Sequence, residues 1–217
     1  MLAALLVVVG GTWGFVALAD KVTEGETQHF DNRIIQWCNR HPGPLWLQDA
    51  GRDLTALGGV TVLSLVTLGI ANYLLISRKR GAAVLVVAAI VGGLVISSVI
   101  KHYVSRDRPP QQFRQAYVYT KSFPSGHSML SAVTYLTLGA LLAQVTKVKW
   151  LKLYIISVAV ILTALVGVSR VYLRVHWPTD VLAGWTAGLV WAILCQLVAR
   201  WLQRRGAVEA ESDVGAA

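Results

Sequence analysis

Three short clusters of ionisable and nucleophilic residues interrupt an otherwise apolar chain. In the first, Lys101 and Arg108 stand seven apart, so an ammonium and a planar guanidinium fork could close around one phosphate group. The second, Phe123-Pro124-Ser125-Gly126-His127, reads as a proline-started helix whose first amides lack intrahelical acceptors. Such a helix start binds anions, Gly126 allows close backbone approach, Ser125 offers a hydroxyl and His127 comes within reach as a proton donor. The third runs from Ser169-Arg170 to His176-Trp177-Pro178-Thr179-Asp180, with a histidine four residues before an aspartate at another proline-started helix. Asp180 at one ring nitrogen would fix the tautomer of His176 and leave the other nitrogen as an attacking lone pair. Taken singly, each cluster has a plainer reading: basic residues snorkelling to headgroups, a helix cap, and a capped helix with a local ion pair.

The elements that must position these clusters are membrane spans. Of the 217 residues, 55% are hydrophobic and only 14% charged, an apolar excess that a soluble domain of this size cannot hide. A bilayer core of about 30 Å takes about 20 apolar residues of helix, and six stretches qualify: 2–19, 54–76, 82–100, 124–145, 151–169 and 179–199. The expectation is an all-α integral membrane protein, a six-helix bundle over 1–205 followed by a disordered, small and acidic tail over 206–217. The first stretch also resembles a cleavable leader, with Ala17-Leu18-Ala19 before Asp20, but it has no basic run ahead of its apolar residues, which favours a span. Several of the eight tryptophans (Trp13, Trp150, Trp177 and Trp201) fall near segment ends, where an amphipathic ring prefers the headgroup region.

Between the first two spans, Phe30, Ile34, Trp37 and Cys38 recur at helical spacing before Pro42-Gly43-Pro44, which suggests a short interfacial helix in the first outer loop or a loop helix packed on the bundle. Cys38 and Cys195 lie in unlike surroundings and imply no disulfide. The net charge of +9 does not point to nucleic acid, because the basic residues are scattered in short groups between apolar segments. With six spans, all three polar clusters face one side of the membrane. The opposite side carries compact basic loops, Arg78-Lys79-Arg80 and Lys147 to Lys152, which mark it as cytoplasmic. His29, His41 and His102 read as surface residues, and solvation is the expected role of Arg106, Asp107, Arg114, Lys121 and Arg174.

Taken together, Lys101-x6-Arg108-Pro109, Pro124-Ser125-Gly126-His127 and Ser169-Arg170-x5-His176-x3-Asp180 resemble, in type, spacing and order, the three-part signature of the type 2 phosphatidic acid phosphatase superfamily. The resemblance implies that His176 attacks phosphorus, Asp180 orients it, and His127 protonates the leaving oxygen. It further implies that Lys101, Arg108, Ser125, Gly126 and Arg170 hold the phosphoryl oxygens, with no metal and no cofactor. The substrate it implies is a membrane lipid phosphate such as phosphatidylglycerol phosphate, phosphatidic acid or undecaprenyl pyrophosphate. The setting it fits is a bacterial inner membrane with the active site facing outward. Lipid-to-lipid phosphotransfer would use the same site with another acceptor, and a non-catalytic lipid-phosphate carrier would have no need of His127, His176 and Asp180 together. Soluble vanadate-dependent haloperoxidases share the signature, but six spans and short loops argue against that class.

Overall fold

A computed structural model describes residues 2–116 and 120–205 of the chain, so the expected tail over 206–217 lies outside the described residues. Eight α-helices follow one another: α1 (Leu2–Thr23), α2 (Gln28–Arg40), α3 (Leu45–Ala56), α4 (Val60–Ile76), α5 (Arg80–Val104), α6 (Gly126–Val145), α7 (Lys149–Tyr172) and α8 (Pro178–Arg204). Helices α1, α5, α6, α7 and α8 are each long and apolar enough to cross a bilayer. The expected span at 54–76 is different. It is a pair, α3 and α4, bent by 47° at a short break, so the described residues hold five helices fit to span, or six candidate spans if the bent pair counts as one. Gly58 and Gly59 make the break, and a side chain at Gly58 would put its Cβ 2.3 Å from Val166 Cγ1 of α7.

The first outer loop holds two helices where one was expected. In α2 the buried stripe is Asp31, Ile35 and Cys38, packed toward α7 and α8, while Phe30 and Trp37 of the expected apolar face are exposed. The buried stripe has no apolar signature because the residue that anchors it is a carboxylate, which a search for apolar periodicity discards.

Three-residue links join α4 to α5 (77–79) and α6 to α7 (146–148), and a five-residue link (173–177) joins α7 to α8, so these helices run antiparallel. The C-terminal ends of α5 and α7 therefore meet the N-terminal ends of α4, α6 and α8. At the other end, a cavity of about 320 Å³ opens between α4, α5, α6 and α8, lined mainly by apolar residues such as Leu74, Val86 and Leu141 and remote from the three polar clusters.

Helix α6 is the axis of the bundle. It packs most extensively on α7 and α8, and every residue from Ser128 to Thr134 is buried. Between helices surrounded by lipid there is little hydrophobic drive to associate, so close van der Waals contact through small residues must do the work. Gly184 and Gly188, four apart on α8, supply it: a Cβ on Gly184 would lie 2.7 Å from the Ser125 carbonyl oxygen, and one on Gly188 would lie 2.6 Å from that of Met129. Gly188→Ala is accordingly expected to destabilise the fold by about 1–3 kcal/mol through overpacking. Thermal unfolding in detergent should show a lower midpoint for this variant, whereas Gly69→Ala, where a Cβ would meet nothing within 4 Å, should not fall.

Candidate active site

His176 sits in the link between α7 and α8 and is fully buried. Its Nδ1 faces two oxygens, Asp180 Oδ2 and Ser122 Oγ, both at 3.4 Å. Ser122 donates its own proton to Asp180 Oδ2, so both oxygens offer lone pairs to Nδ1. The ring proton therefore belongs on Nδ1, and the Nε2 lone pair accepts from Arg108 Nη1 at 3.0 Å. Burial, and then the charges of Arg108, Arg170, Lys101 and His127, hold His176 well below the usual histidine range, so its imidazole is neutral at neutral pH.

Helix α8 positions the carboxylate. Pro178 fills its first turn, and Asp180, third in the helix, accepts from the free Trp177 amide at 2.9 Å through Oδ2. That leaves Asp180 Oδ1 for Arg106, whose Nη1 donates at 2.6 Å. The four-residue spacing to His176 is thus read across a helix start, with the proline ensuring that α8 begins between the two residues.

The cations come from three elements. Lys101, in the last turn of α5, donates to the carbonyls of Pro124 at 2.6 Å and Lys121 at 3.0 Å. Arg108 is fixed on every side: Nε to Thr120 O at 2.6 Å, Nη1 to Val175 O at 2.6 Å, and Nη2 to Thr120 Oγ1 at 3.1 Å and Lys121 O at 3.3 Å. Burial draws its pKa down to about 10, which still leaves it charged at neutral pH. Arg170, buried at the end of α7, donates from Nη1 to Thr55 Oγ1 at 2.8 Å, while its Nε is buried without a partner.

The second cluster departs from expectation in one respect. Pro124, joined to Phe123 by a cis peptide bond, stands before the helix; α6 starts at Gly126 and Ser125 is its N-cap, accepting from Ser128 N at 3.4 Å and from Ser128 Oγ at 2.8 Å. Gly126 lies against the first cluster, since a Cβ there would sit 3.7 Å from Lys101 Cε. His127 follows in the first turn of α6, its Nε2 beside the glycine break between α3 and α4. Among the described residues no group of three His, Cys, Asp or Glu is gathered as metal coordination requires.

Residues 82–205, which carry all three clusters, match the model of the PAP2 superfamily. The chain belongs to the PAP2 superfamily. It is similar to phosphatidylglycerophosphatase B of Bacillus subtilis, with 31% identity over 180 residues, 81% of this chain and 86% of that one. It is also similar to an undecaprenyl-diphosphatase of Sulfolobus acidocaldarius, with 32% identity over 123 residues, 54% of this chain and 55% of that one. Among solved structures, a transmembrane PAP2-type phosphatidylglycerolphosphate phosphatase from Bacillus subtilis superposes with a TM-score of 0.84 at 27% identity, covering 92% of this chain and 98% of that one. LpxE of Aquifex aeolicus, at 21% identity and a TM-score of 0.61 over 77% and 95% of the two chains, shares the fold. With the apolar helices, these likenesses make the chain an integral membrane protein.

Two basic residues assigned to solvation are instead built into this PAP2 site. Arg106, its side chain only 13% exposed, spans two carboxylates, Asp31 and Asp180, at 2.6 Å each. Buried Arg174, with a left-handed backbone (φ 56°), donates from Nη2 to Cys38 O at 2.5 Å and ties the α7–α8 link to α2. Lys121 and Asp107 do form a surface ion pair, and Lys121 holds the Asp107 carboxyl below its ordinary range. His29, His41 and His102 are exposed, as expected of them. Ser122 belongs to no recurring spacing, and Asp31 shares its helical spacing with apolar residues among which a carboxylate is not sought. Only their meeting at Asp180 and Arg106 gives them meaning. Arg108→Lys keeps the charge but not the fork, so it is expected to weaken binding of orthovanadate, a phosphate mimic, by tenfold or more. One lost hydrogen bond to a charged group is worth about 1.5–3 kcal/mol, which titration calorimetry would resolve.

Proposed function

We propose that this chain, a lipid phosphatase of the PAP2 superfamily, hydrolyses a phosphomonoester or pyrophosphate of a membrane lipid through a phosphohistidine on His176, without a metal ion. The observation that carries the reading is the orientation of the His176 ring, with Nδ1 toward Asp180 Oδ2 and the Nε2 lone pair toward Arg108 Nη1. The nucleophilic nitrogen thus points at the guanidinium best suited to hold the phosphate it would attack. Relatives named for phosphatidylglycerophosphate and undecaprenyl diphosphate support both substrate classes, and phosphatidic acid carries the same phosphomonoester chemistry.

In the first step Nε2 forms a bond to phosphorus, the bond from phosphorus to the lipid oxygen breaks, and protonated His127 gives that oxygen its proton. Water then yields a proton to His127 as its oxygen attacks phosphorus, the P–N bond breaks, and inorganic phosphate leaves. Both histidines return to their starting states. Lys101, Arg108 and Arg170, with the Ser125 hydroxyl and the Gly126 amide, hold the phosphoryl oxygens and offset the charge that builds on them. Phosphoryl transfer asks for positioning and charge neutralisation above all, and anchored cations meet both needs before substrate arrives. The basic loops at 78–80 and 147–149 lie at the far end of the bundle, which supports a site facing outward from a bacterial inner membrane.

The deciding experiment is phosphate release from long-chain phosphatidic acid by detergent-purified protein in excess EDTA, beside His176→Ala. The wild type is expected to release phosphate and a folded His176→Ala to release none; turnover by that variant would remove His176 as nucleophile. The pH profile gives a second check. Because His176 is held below its usual 6.5, it stays neutral as the pH falls through 6.5. The acid limb that it controls should therefore lie below that value. An acid limb centred on an ordinary histidine pKa would contradict the buried, neutral nucleophile.

A further inference from the structure

One buried carboxylate has no part in the chemistry above. Asp31 lies on α2, outside the residues matched by the superfamily model, and is fully buried. Its Oδ2 accepts from Arg106 Nη2 at 2.6 Å and from Thr179 Oγ1 at 2.7 Å, and its Oδ1 accepts from the Thr179 amide at 3.1 Å. That amide is among the first four of α8, which have no acceptor within their own helix. Asp31 therefore caps α8 from another helix, beside the residue that faces His176.

Arg106 completes the connection. Its Nη1 donates to Asp180 Oδ1 at 2.6 Å and to Thr179 Oγ1 at 2.8 Å, while Nη2 serves Asp31 and, at 3.4 Å, Thr27 Oγ1. The guanidinium also stacks over Trp177, 5.5 Å from the ring centroid. One planar fork is thus held by two carboxylates, two hydroxyls and an aromatic face, and each oxygen of Asp180 has a different duty: Oδ1 meets Arg106 and Oδ2 meets His176.

We propose that Asp31 and Arg106 are positioning residues for the Asp180–His176 pair, an inference that rests on His176 being the nucleophile. Arg106 fixes the plane of the Asp180 carboxylate so that Oδ2 stays aimed at Nδ1. Asp31 holds Arg106 in place and shares its positive charge. With no second carboxylate, a buried guanidinium would draw on Asp180 alone and weaken it as an acceptor for the ring N–H. With Asp31 present, the set Asp31, Arg106 and Asp180 keeps one net negative charge beside an imidazole that becomes positive as it bonds to phosphorus. The first outer loop is on this account part of the catalytic apparatus, acting at second hand through α8.

The test uses the full-length protein in detergent, with Asp31→Asn, Arg106→Gln, Arg106→Lys and the double variant Asp31→Asn/Arg106→Gln. Asparagine keeps the shape and can still accept from the Thr179 amide, while its amide nitrogen replaces the oxygen that accepts from Arg106, so the change removes the charge and that acceptor together. Asp31→Asn is expected to lower kcat on the order of tenfold with little change in KM, as for an interaction needed only in the transition state. Arg106→Lys should not restore activity over Arg106→Gln, since a point charge cannot serve two carboxylates at once. The double variant should be no worse than Arg106→Gln alone, the non-additivity of residues that act as one unit. A melting midpoint that falls while the folded Asp31→Asn enzyme turns over at the wild-type kcat would overturn the proposal, leaving only a fastening of α2. Multiplicative losses in the double variant, or full activity in Arg106→Lys, would overturn it equally, and either single arginine variant decides the matter if Asp31→Asn does not fold. Failure of the underlying reading looks different: there His176→Ala itself would remain active.

Discussion

The structure turns on the requirement that a buried carboxylate have both of its oxygens hydrogen-bonded. Asp180 meets it with Arg106 on one oxygen, and Ser122, the Trp177 amide and His176 on the other. The partners come from two connections: Arg106 and Ser122 from the segment between α5 and α6, and His176 and Trp177 from the α7–α8 link. The backbone joins in, since the Asp180 carbonyl accepts from the Ser125 amide at 3.0 Å and so sets the start of α6 against the start of α8. Satisfying one side chain in an apolar bundle brings the three polar clusters together. Leaving such a group unpaired costs several kcal/mol, so the arrangement has few rivals.

The cations obey the same rule with opposite sign. Lys101 and Arg108 do not pair with carboxylates; they are held mainly by backbone carbonyls of Thr120, Lys121, Pro124 and Val175. Carbonyl dipoles anchor a cation without cancelling its charge, which keeps positive potential available for an anion. Arg106 is the exception that clarifies the rule: its charge is spent on Asp31 and Asp180, so it offers no comparable potential to an anion. The neutral state of His176 follows from the same field, because a buried ring beside anchored cations sheds its proton.

Much of this was legible in the sequence. The spans announced themselves by apolar length, and each cluster of site residues lay at a span end, so an alternating bundle had to bring them to one face. What escaped were contacts that no spacing encodes. Asp31 lies 148 residues from Thr179, and a lone acid in a polar loop carries no sign of its destination. Arg106 sits two residues from Arg108, and although the Lys101-x6-Arg108-Pro109 spacing singles out Arg108, nothing in it marks Arg106 as the partner of Asp31 and Asp180. The break at Gly58-Gly59 was invisible for a related reason: hydropathy runs through it, and only the approach of Val166 reveals why Gly58 bears no side chain.

The glycine contacts between α6 and α8 divide the molecule into parts that can and cannot change over evolutionary time. Where Gly184 and Gly188 meet the α6 backbone there is no room for another atom, and any substitution shifts the helix starts that carry Ser125 and Asp180. The lipid-facing side of helix α1 is the opposite case: a Cβ on Gly10 or Gly14 would meet nothing within 4 Å, so that one residue there can be traded for another at little cost. Divergence among such enzymes, including adaptation to membranes of different composition, can therefore accumulate at the rim of the bundle while its axis stays fixed.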